Sequence, residues 1–301
     1  MRLLILGDMH LSESKPKRRI DDYKQSQVEK VNSIIEIAEQ YKVDITLQPG
    51  DLCDSHEFPD KFKTRWIKIL KKLPPIFSVP GQHDMRYHTG NIKNTPYGVL
   101  SEGVPFTVLD ERPYVFKDNI YIYGAAWNKP IPKIITPDCF NILVIHKMIV
   151  IEKLWDDQED YQVAGSFLRR NDFDLIVSGD NHQEFYYHVD NKVLINAGSL
   201  MRNRIDQINY KPCVFTFDTN MKTFKKIHVP VASFKDVFDL EEAEKDEKKN
   251  IRLSELSDIL KKKSRIKGLN YKLRVSNRVN SLKAENSIKP LTERIIGEVM
   301  V

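Results

Sequence analysis

Six short apolar runs, each ending in a polar turn, constrain this chain more than any other feature. Residues 3–6 run into Gly7-Asp8-Met9-His10, and residues 43–47 into Pro49-Gly50-Asp51. Residues 75–79 run into Pro80-Gly81-Gln82-His83-Asp84, and residues 142–145 into His146. Residues 175–177 run into Gly179-Asp180-Asn181-His182, and residues 193–195 into Asn196-Ala197-Gly198-Ser199. Runs of this length, bounded by such turns, are buried strands. Residues 26–41, with Val28, Val31, Ile34, Ile35 and Ala38 at helical spacing, predict a helix between the first two. A second helix is predicted over 60–72, with Phe62, Trp66, Ile69 and Leu70 on one face. Strand–helix–strand connections imply parallel pairing. Strands over 120–124, 193–195, 213–217 and 223–229 follow one another with short turns and predict a second, mixed sheet. The expected fold class is therefore α/β, with two sheets face to face and helices outside.

Polar residues at the carboxyl ends of parallel strands converge at one edge of a sheet. That gathers Asp8, His10, Asp51, Gln82, His83, His146, Asp180 and His182. Carboxylates and neutral imidazoles are ligands for divalent first-row metals. Asp8 and His10, like Asp180 and His182, sit at i and i+2 and point to the same side of an extended segment. Taken singly, each has a plainer explanation. A lone histidine such as His146 is more often a core or surface residue, and Gly50-Asp51 is an ordinary turn. Five successive strand ends carrying Asp or His outweigh that. The donors exceed the needs of one ion, and two ions sharing a carboxylate would use them fully.

In order, GDMH, GDLCD, GQHD, His146 and GDNH resemble the motifs of the calcineurin-like metallophosphoesterases, whose pattern runs DxH, GDxxD, GNHD/E, a lone H and GHxH. The likeness covers residues 1–230. It implies an α-β-β-α sandwich, with one metal held by Asp8, His10, Asp51 and His182. A second would be held by Asp51 as the bridge with Gln82, His146 and Asp180. His83 would face the leaving group, with Asp51 or Asp54 orienting the site. GQHDMRYH, IHKM around His146 and NAGSLMR at 196–202 resemble the SbcD-type DNA nucleases of bacteria and tailed phages. Two positions depart from the pattern. Gln82 stands in place of Asn, and Asp180 in place of the first His of GHxH. Three carboxylates instead of two make the donor set oxygen-rich, which suits Mn²⁺, or Mg²⁺, better than zinc. His56 and His88, on loops after the second and third strands, and Arg202 and Arg204, after the NAGSLMR turn, are candidate phosphate contacts; the alternative for each is plain solvent exposure.

Charge enters the argument at the far end of the chain. From Glu241 onward there are 15 Lys/Arg against 10 Asp/Glu, while the preceding 240 residues balance. Residues 252–278 alone hold nine Lys/Arg against two Asp/Glu, a segment able to neutralise nucleic-acid phosphates. The composition shift after Pro230 suggests a phosphoesterase domain over 1–232 and a small basic α(+β) appendage over 233–301. Within the appendage, helices are predicted over 252–263 and 291–299, and a strand over 269–275. The SbcD resemblance implies DNA as substrate and an SbcC-like, SMC-type ATPase as partner, with a homodimer left open. Two other readings stand beside it: a phosphomonoesterase or cyclic-nucleotide phosphodiesterase, and a binding subunit with a silent second metal site. Cys53, Cys139 and Cys213 form no CxxC pair, which argues against a disulfide framework or a zinc knuckle. The sequence has no membrane-length apolar run and no leader pattern at MRLLILGD, so a cytoplasmic protein is expected.

Overall fold

The apolar runs fold as strands in the computed structural model, which describes residues 1–116 and 119–242. In chain order the elements are β1 (Arg2–Ile5), α1 (Tyr23–Gln40), β2 (Ile45–Gln48), α2 (Asp60–Leu70), β3 (Ile76–Ser78), α3 (Pro96–Gly103), β4 (Phe106–Val108) and β5 (Tyr114–Phe116). There follow β6 (Ile120–Ala125), β7 (Phe140–His146), β8 (Ile149–Val150), β9 (Gln162–Val163), α4 (Ala164–Arg170), β10 (Leu175–Gly179), β11 (Phe185–Val189) and β12 (Lys192–Asn196). The last are β13 (Cys213–Asp218), β14 (Thr223–His228) and α5 (Phe234–Val237).

Two six-stranded sheets result, ordered β14-β13-β1-β2-β3-β4 and β11-β12-β10-β7-β6-β5. β1, β2, β3 and β4 pair in parallel, as do β6, β7, β10 and β12. The central strands are apolar on both faces because both faces are covered. Leu3, Ile5, Leu47, Ile142, Val144, Val177 and Ile195 belong to one core cluster shared by the two sheets. Their neighbours Leu4 and Leu6 turn outward beneath α1–α3, with Val31, Ile34, Phe62, Trp66 and Leu100. On the other sheet Leu143, Ile145 and Ile176 pack against Phe167 and Leu168 of α4. Strand alternation thus builds the α-β-β-α layers.

Two details differ from the sequence expectation. The hairpin β13–β14, expected in the second sheet, extends the first, with β13 antiparallel to β1 in the register Leu3↔Phe217 and Ile5↔Phe215. Strand spacing carries no information about partner. Phe215 and Phe217 are buried between the sheets at this position. Helix α1 also begins earlier than expected, because the Asp22 carboxylate accepts the Gln25 N–H at 3.1 Å and caps it.

Residues Met1–Asp239 form one compact unit and Leu240–Val301 another. The first unit retains the segment after Pro230. Ile20 N–H donates to the Val237 carbonyl at 2.9 Å, and the rings of Phe234 and Phe238 stack at 4.5 Å. The elements expected over 252–263, 269–275 and 291–299, with the basic stretch 252–278, lie outside the described residues. Among the described residues no helix is long and apolar enough to cross a membrane.

Candidate metal centre

The donors gather from two sheets, not one. Asp8 and His10 follow β1, Asp51 follows β2, and Gln82 and His83 follow β3; His146 ends β7, and Asp180 and His182 follow β10. The carboxyl ends of both parallel sets open at the same end of the sandwich. Three backbone hydrogen bonds sew the turns together: the Met9 and His10 N–H groups donate to the Asp51 carbonyl at 3.1 and 2.9 Å, and Asp8 N–H to Gly198 O at 3.0 Å.

The i, i+2 pairs are not on extended backbone. His10, Asp51 and Asp180 have φ of 43°, 49° and 73°. This left-handed region is strained for a side chain bearing a Cβ, and the strain re-aims three donors toward a common point. The convergence survives through turns instead of through pleat alternation. Ligand atoms of Asp8, His10 and His182 lie within 4.8 Å of one another, as do those of Asp8, Asp51 and His146 and those of His10, Asp51 and His83.

The donor atoms crowd one another. His10 Nε2 and His182 Nε2 are 3.0 Å apart, and His182 Nε2 is 3.5 Å from Asp8 Oδ2. Asp51 Oδ2 lies 3.7 Å from His10 Nε2 and 3.5 Å from His146 Nε2. His146 uses Nδ1 on the Pro49 carbonyl at 2.7 Å, which turns Nε2 inward. Asp8 Oδ1, Gln82 Oε1 and His146 Nε2 are all buried without a hydrogen-bond partner among the described residues. Acceptors so crowded, with no donor to satisfy them, fit divalent cations.

The two departures from the family pattern meet each other. Gln82 Nε2 donates to Asp180 Oδ1 at 3.0 Å. The longer amide therefore has its N–H₂ end engaged by the carboxylate that replaces an imidazole, and its oxygen is left as the unpartnered, ligand-type atom. His146 Nε2 lies 4.0 Å from that same Asp180 oxygen.

Electrostatics follow from the crowding. Burial raises the Asp8 carboxyl well above the usual range, and the Asp51 and Asp180 charges add to this. Burial also acts to raise Asp51, but the His146, His10 and His83 imidazoles hold it far below the ordinary value. Burial lowers His146, yet Asp51, Asp8 and Asp180 outweigh it and push the imidazole up to about 10. His182 is lowered to about 4 by burial and by His10. Protons are thus unevenly shared among groups that a divalent charge would satisfy together.

His83 stands at the rim, its side chain 43% exposed. Its Nδ1 meets the Asp54 carbonyl at 3.0 Å, and Nε2 lies 4.0 Å from Asp51 Oδ2. The Asp54 carboxylate sits 3.4 Å from His10 Nδ1. The Asp54 backbone therefore orients the His83 imidazole, and its carboxylate stands beside that of His10.

The remaining candidates do not join the cluster. His56 leans on Tyr87, with ring centroids 5.2 Å apart, and His88 on Trp127 at 5.5 Å. Arg204 is exposed and pairs with Asp206 at 3.1 Å. Arg202 is only 6% exposed, donates Nη2 to the Ala232 carbonyl and lies over the Phe234 ring.

Sequence reasoning passed over Asp84, although it stands inside the GQHD motif. Its buried carboxylate accepts N–H bonds from Leu52 at 3.2 Å, Cys53 at 2.9 Å and Gly81 at 2.9 Å, tying the Asp51 and Gln82 turns together. Gly81 is required by close approach: a Cβ there would lie 2.1 Å from Asp51 Oδ1 and 2.5 Å from Asp51 N. Gly81→Ala is expected to displace Asp51 and weaken divalent-metal affinity by about 10–100-fold, as loss of ligand orientation does; calorimetric titration with Mn²⁺ measures it, and unchanged affinity refutes the role.

Comparison with known proteins places this geometry. The DNA double-strand break repair protein Mre11 of Saccharolobus solfataricus is 29% identical over 151 residues, covering 48% of this chain and 38% of that protein. The chain thus spans well under half the length of that relative. A solved structure from Thermus thermophilus, TT1561, superposes over 76% of this chain and 99% of its own, with a TM-score of 0.49 and 11% identity. An archaeal phosphodiesterase covers 76% of this chain and 100% of its own, with a TM-score of 0.42 and 14% identity. The calcineurin-like phosphoesterase model matches residues 1–184. Because that match begins before the first strand and ends beyond His182, taking in every donor of the cluster, the chain belongs to the calcineurin-like phosphoesterase family.

Proposed function

We propose that this protein is a dimetal phosphodiesterase acting on DNA, an exo- or endonuclease of the SbcD type that uses Mn²⁺ in preference to Mg²⁺. The family is one of metal-using hydrolases. The observation that carries the dimetal reading is Asp51: one carboxylate oxygen lies within 3.7 Å of His10 Nε2 and 3.5 Å of His146 Nε2, between the two donor groups. Asp8, His10 and His182 complete one set, and Gln82, His146 and Asp180 the other. When bound, a pair of divalent cations supplies Lewis acidity to the phosphoryl oxygens and acidifies water enough for attack near neutral pH.

The chain's own groups do the rest. His83 donates a proton from Nε2 to the leaving oxygen, a step typically worth about 10²–10⁴-fold. The Asp54 carbonyl accepts the Nδ1–H, so the ring acts as a doubly protonated imidazolium that gives up its Nε2 proton and is left as the Nδ1–H tautomer. His56, His88 and Arg204 meet flanking phosphates as charge-assisted donors. The preference for DNA rests on the likeness to a DNA-repair protein across 48% of the chain and on the basic stretch 252–278. In this reading residues 1–232 carry the chemistry, while 233–301 meet DNA or an SMC-type ATPase in the cytoplasm.

The test is hydrolysis of labelled single- and double-stranded DNA beside p-nitrophenyl mono- and diesters, with Mn²⁺ or Mg²⁺. DNA and the diester are expected to be cut and the monoester spared, with Mn²⁺ giving the higher rate. Monoester turnover with intact DNA would make the protein a phosphomonoesterase. Bound metal with no hydrolysis of any ester would make it a binding subunit.

A further inference from the structure

Beside α1, at residues the metal centre does not use, three cations, Arg19, Lys30 and Arg202, converge on one cavity. Lys30, in the middle of α1, is 9% exposed. Its ammonium makes one long hydrogen bond, to the Pro230 carbonyl at 3.4 Å. Arg19 and Arg202 are also buried. With Lys30, Ser26 and Ser33 they line a cavity of about 150 Å³. Arg19 is spent in part: Nε and Nη2 hold Asp21, the former at 2.9 Å, and Nη1 holds the Arg202 carbonyl at 2.6 Å. Arg202 gives Nη2 to Ala232 O.

The carboxylates at hand do not answer Lys30. Asp21 is taken by Arg19 and by Ser26 Oγ at 2.6 Å. Glu29, on the cavity rim, accepts the Gln25 amide at 3.0 Å. Among the described residues, Lys30 therefore makes no ion pair: its ammonium meets the Pro230 carbonyl, with two guanidinium groups and the Glu29 carboxylate on the same cavity wall. Burial, then repulsion from Arg202 and Arg19, lowers its amine to about 7. A buried amine with spare donors, beside two more cations, is costly unless something anionic completes it. Charge-assisted donors converging from a lysine and a guanidinium are the usual means of holding phosphate.

We propose that the cavity bounded by Lys30, Arg19 and Arg202 binds a phosphate-class oxyanion, either free phosphate or a backbone phosphate of nucleic acid. The site shares no residue with the metal centre and does not depend on the nuclease reading. It is built where the chain leaves the sandwich, since Pro230 and Ala232 supply its wall, so an anion there also fastens the 230–237 connector.

Two measurements on the full-length protein test this. Calorimetric counting of inorganic phosphate is expected to show one bound phosphate fewer in Lys30→Met than in wild type; an equal count overturns the proposal, including the case in which an acidic side chain of this protein already fills the cavity. The second is thermal stability in phosphate-free buffer. An amine lowered to about 7 in the folded state, against 10.5 unfolded, costs stability fully below pH 7 and nothing above pH 10.5. Lys30→Met is therefore expected to raise Tm by about 3 °C or more at pH 6, and the gain should vanish by pH 10.5. A purely structural lysine would lower it. Lys30→Gln, which keeps a polar end, repeats both measurements if the methionine variant folds poorly. A duplex DNA arm separates the sources: if the site takes a backbone phosphate, Lys30→Met makes the plot of log affinity against log salt shallower by about one. If it takes only free phosphate, DNA affinity is unchanged while the phosphate count still falls.

Discussion

Asp51→Asn is expected to lower phosphodiester hydrolysis by about a thousandfold or more while the protein stays folded. The fold survives because the asparagine oxygen can still accept the His83 N–H, which Asp51 Oδ1 now does at 2.9 Å. The chemistry does not, because an amide N–H₂ would replace Oδ2, the atom set between His10 and His146. Those N–H groups would donate to the two imidazole nitrogens and occupy the lone pairs meant for cations. The central negative charge is lost as well. Lewis-acid stabilisation of a phosphoryl transition state amounts to several kcal/mol, and each ~1.4 kcal/mol is tenfold in rate. Elemental analysis beside steady-state kinetics checks both halves. The variant should carry fewer divalent ions than wild type and should melt within a few degrees of it. A variant that keeps its metal and its rate would show that Asp51 bridges nothing.

His83→Asn should behave differently, and the contrast separates holding metal from moving a proton. Its ring is half-exposed, and its backbone, not its imidazole, makes the hydrogen bond to Asp51. Metal content is therefore expected to be unchanged. Turnover of DNA should fall by about 10²–10⁴-fold, the usual contribution of a positioned acid. The loss should shrink for a p-nitrophenyl diester, whose leaving group departs as a stable anion and needs no proton. Equal losses on both substrates would mean that His83 positions phosphate instead of protonating the leaving oxygen. Loss of metal would place it among the ligands, as its 4.0 Å approach to Asp51 would then suggest.

The pattern of strands and donors was legible because it is local. Apolar runs such as 142–145 and 175–177 are covered on both faces, so they read as continuous hydrophobic stretches, and their ends are marked by polar turns. Helices α1 and α2 announced themselves through the spacing of Val31, Ile34, Phe62 and Trp66 beneath the first sheet. Other features involve residues far apart in the chain. The sheet taken by β13 depends on which edge can bury Phe215 and Phe217. The buried placing of Arg202, against Ala232 and Phe234, depends on a connector thirty residues away.

From the sequence by itself came the identity of the metal-type donors, their order, and the expectation of a two-layered sheet core with helices outside. Residue chemistry and short-range periodicity are written in the chain, and both suffice for that. Only the tertiary structure decided that the donors arrive from two sheets, that His10, Asp51 and Asp180 reach them through left-handed backbone, and that Gln82 and Asp180 hold each other. It also revealed Asp84 as the carboxylate binding two turns together, and Lys30 as a buried amine that makes no ion pair among the described residues. The physical reason is the same in each case. Aim, burial and pairing are set by packing between segments 30 to 200 residues apart, and spacing along the chain does not carry that information.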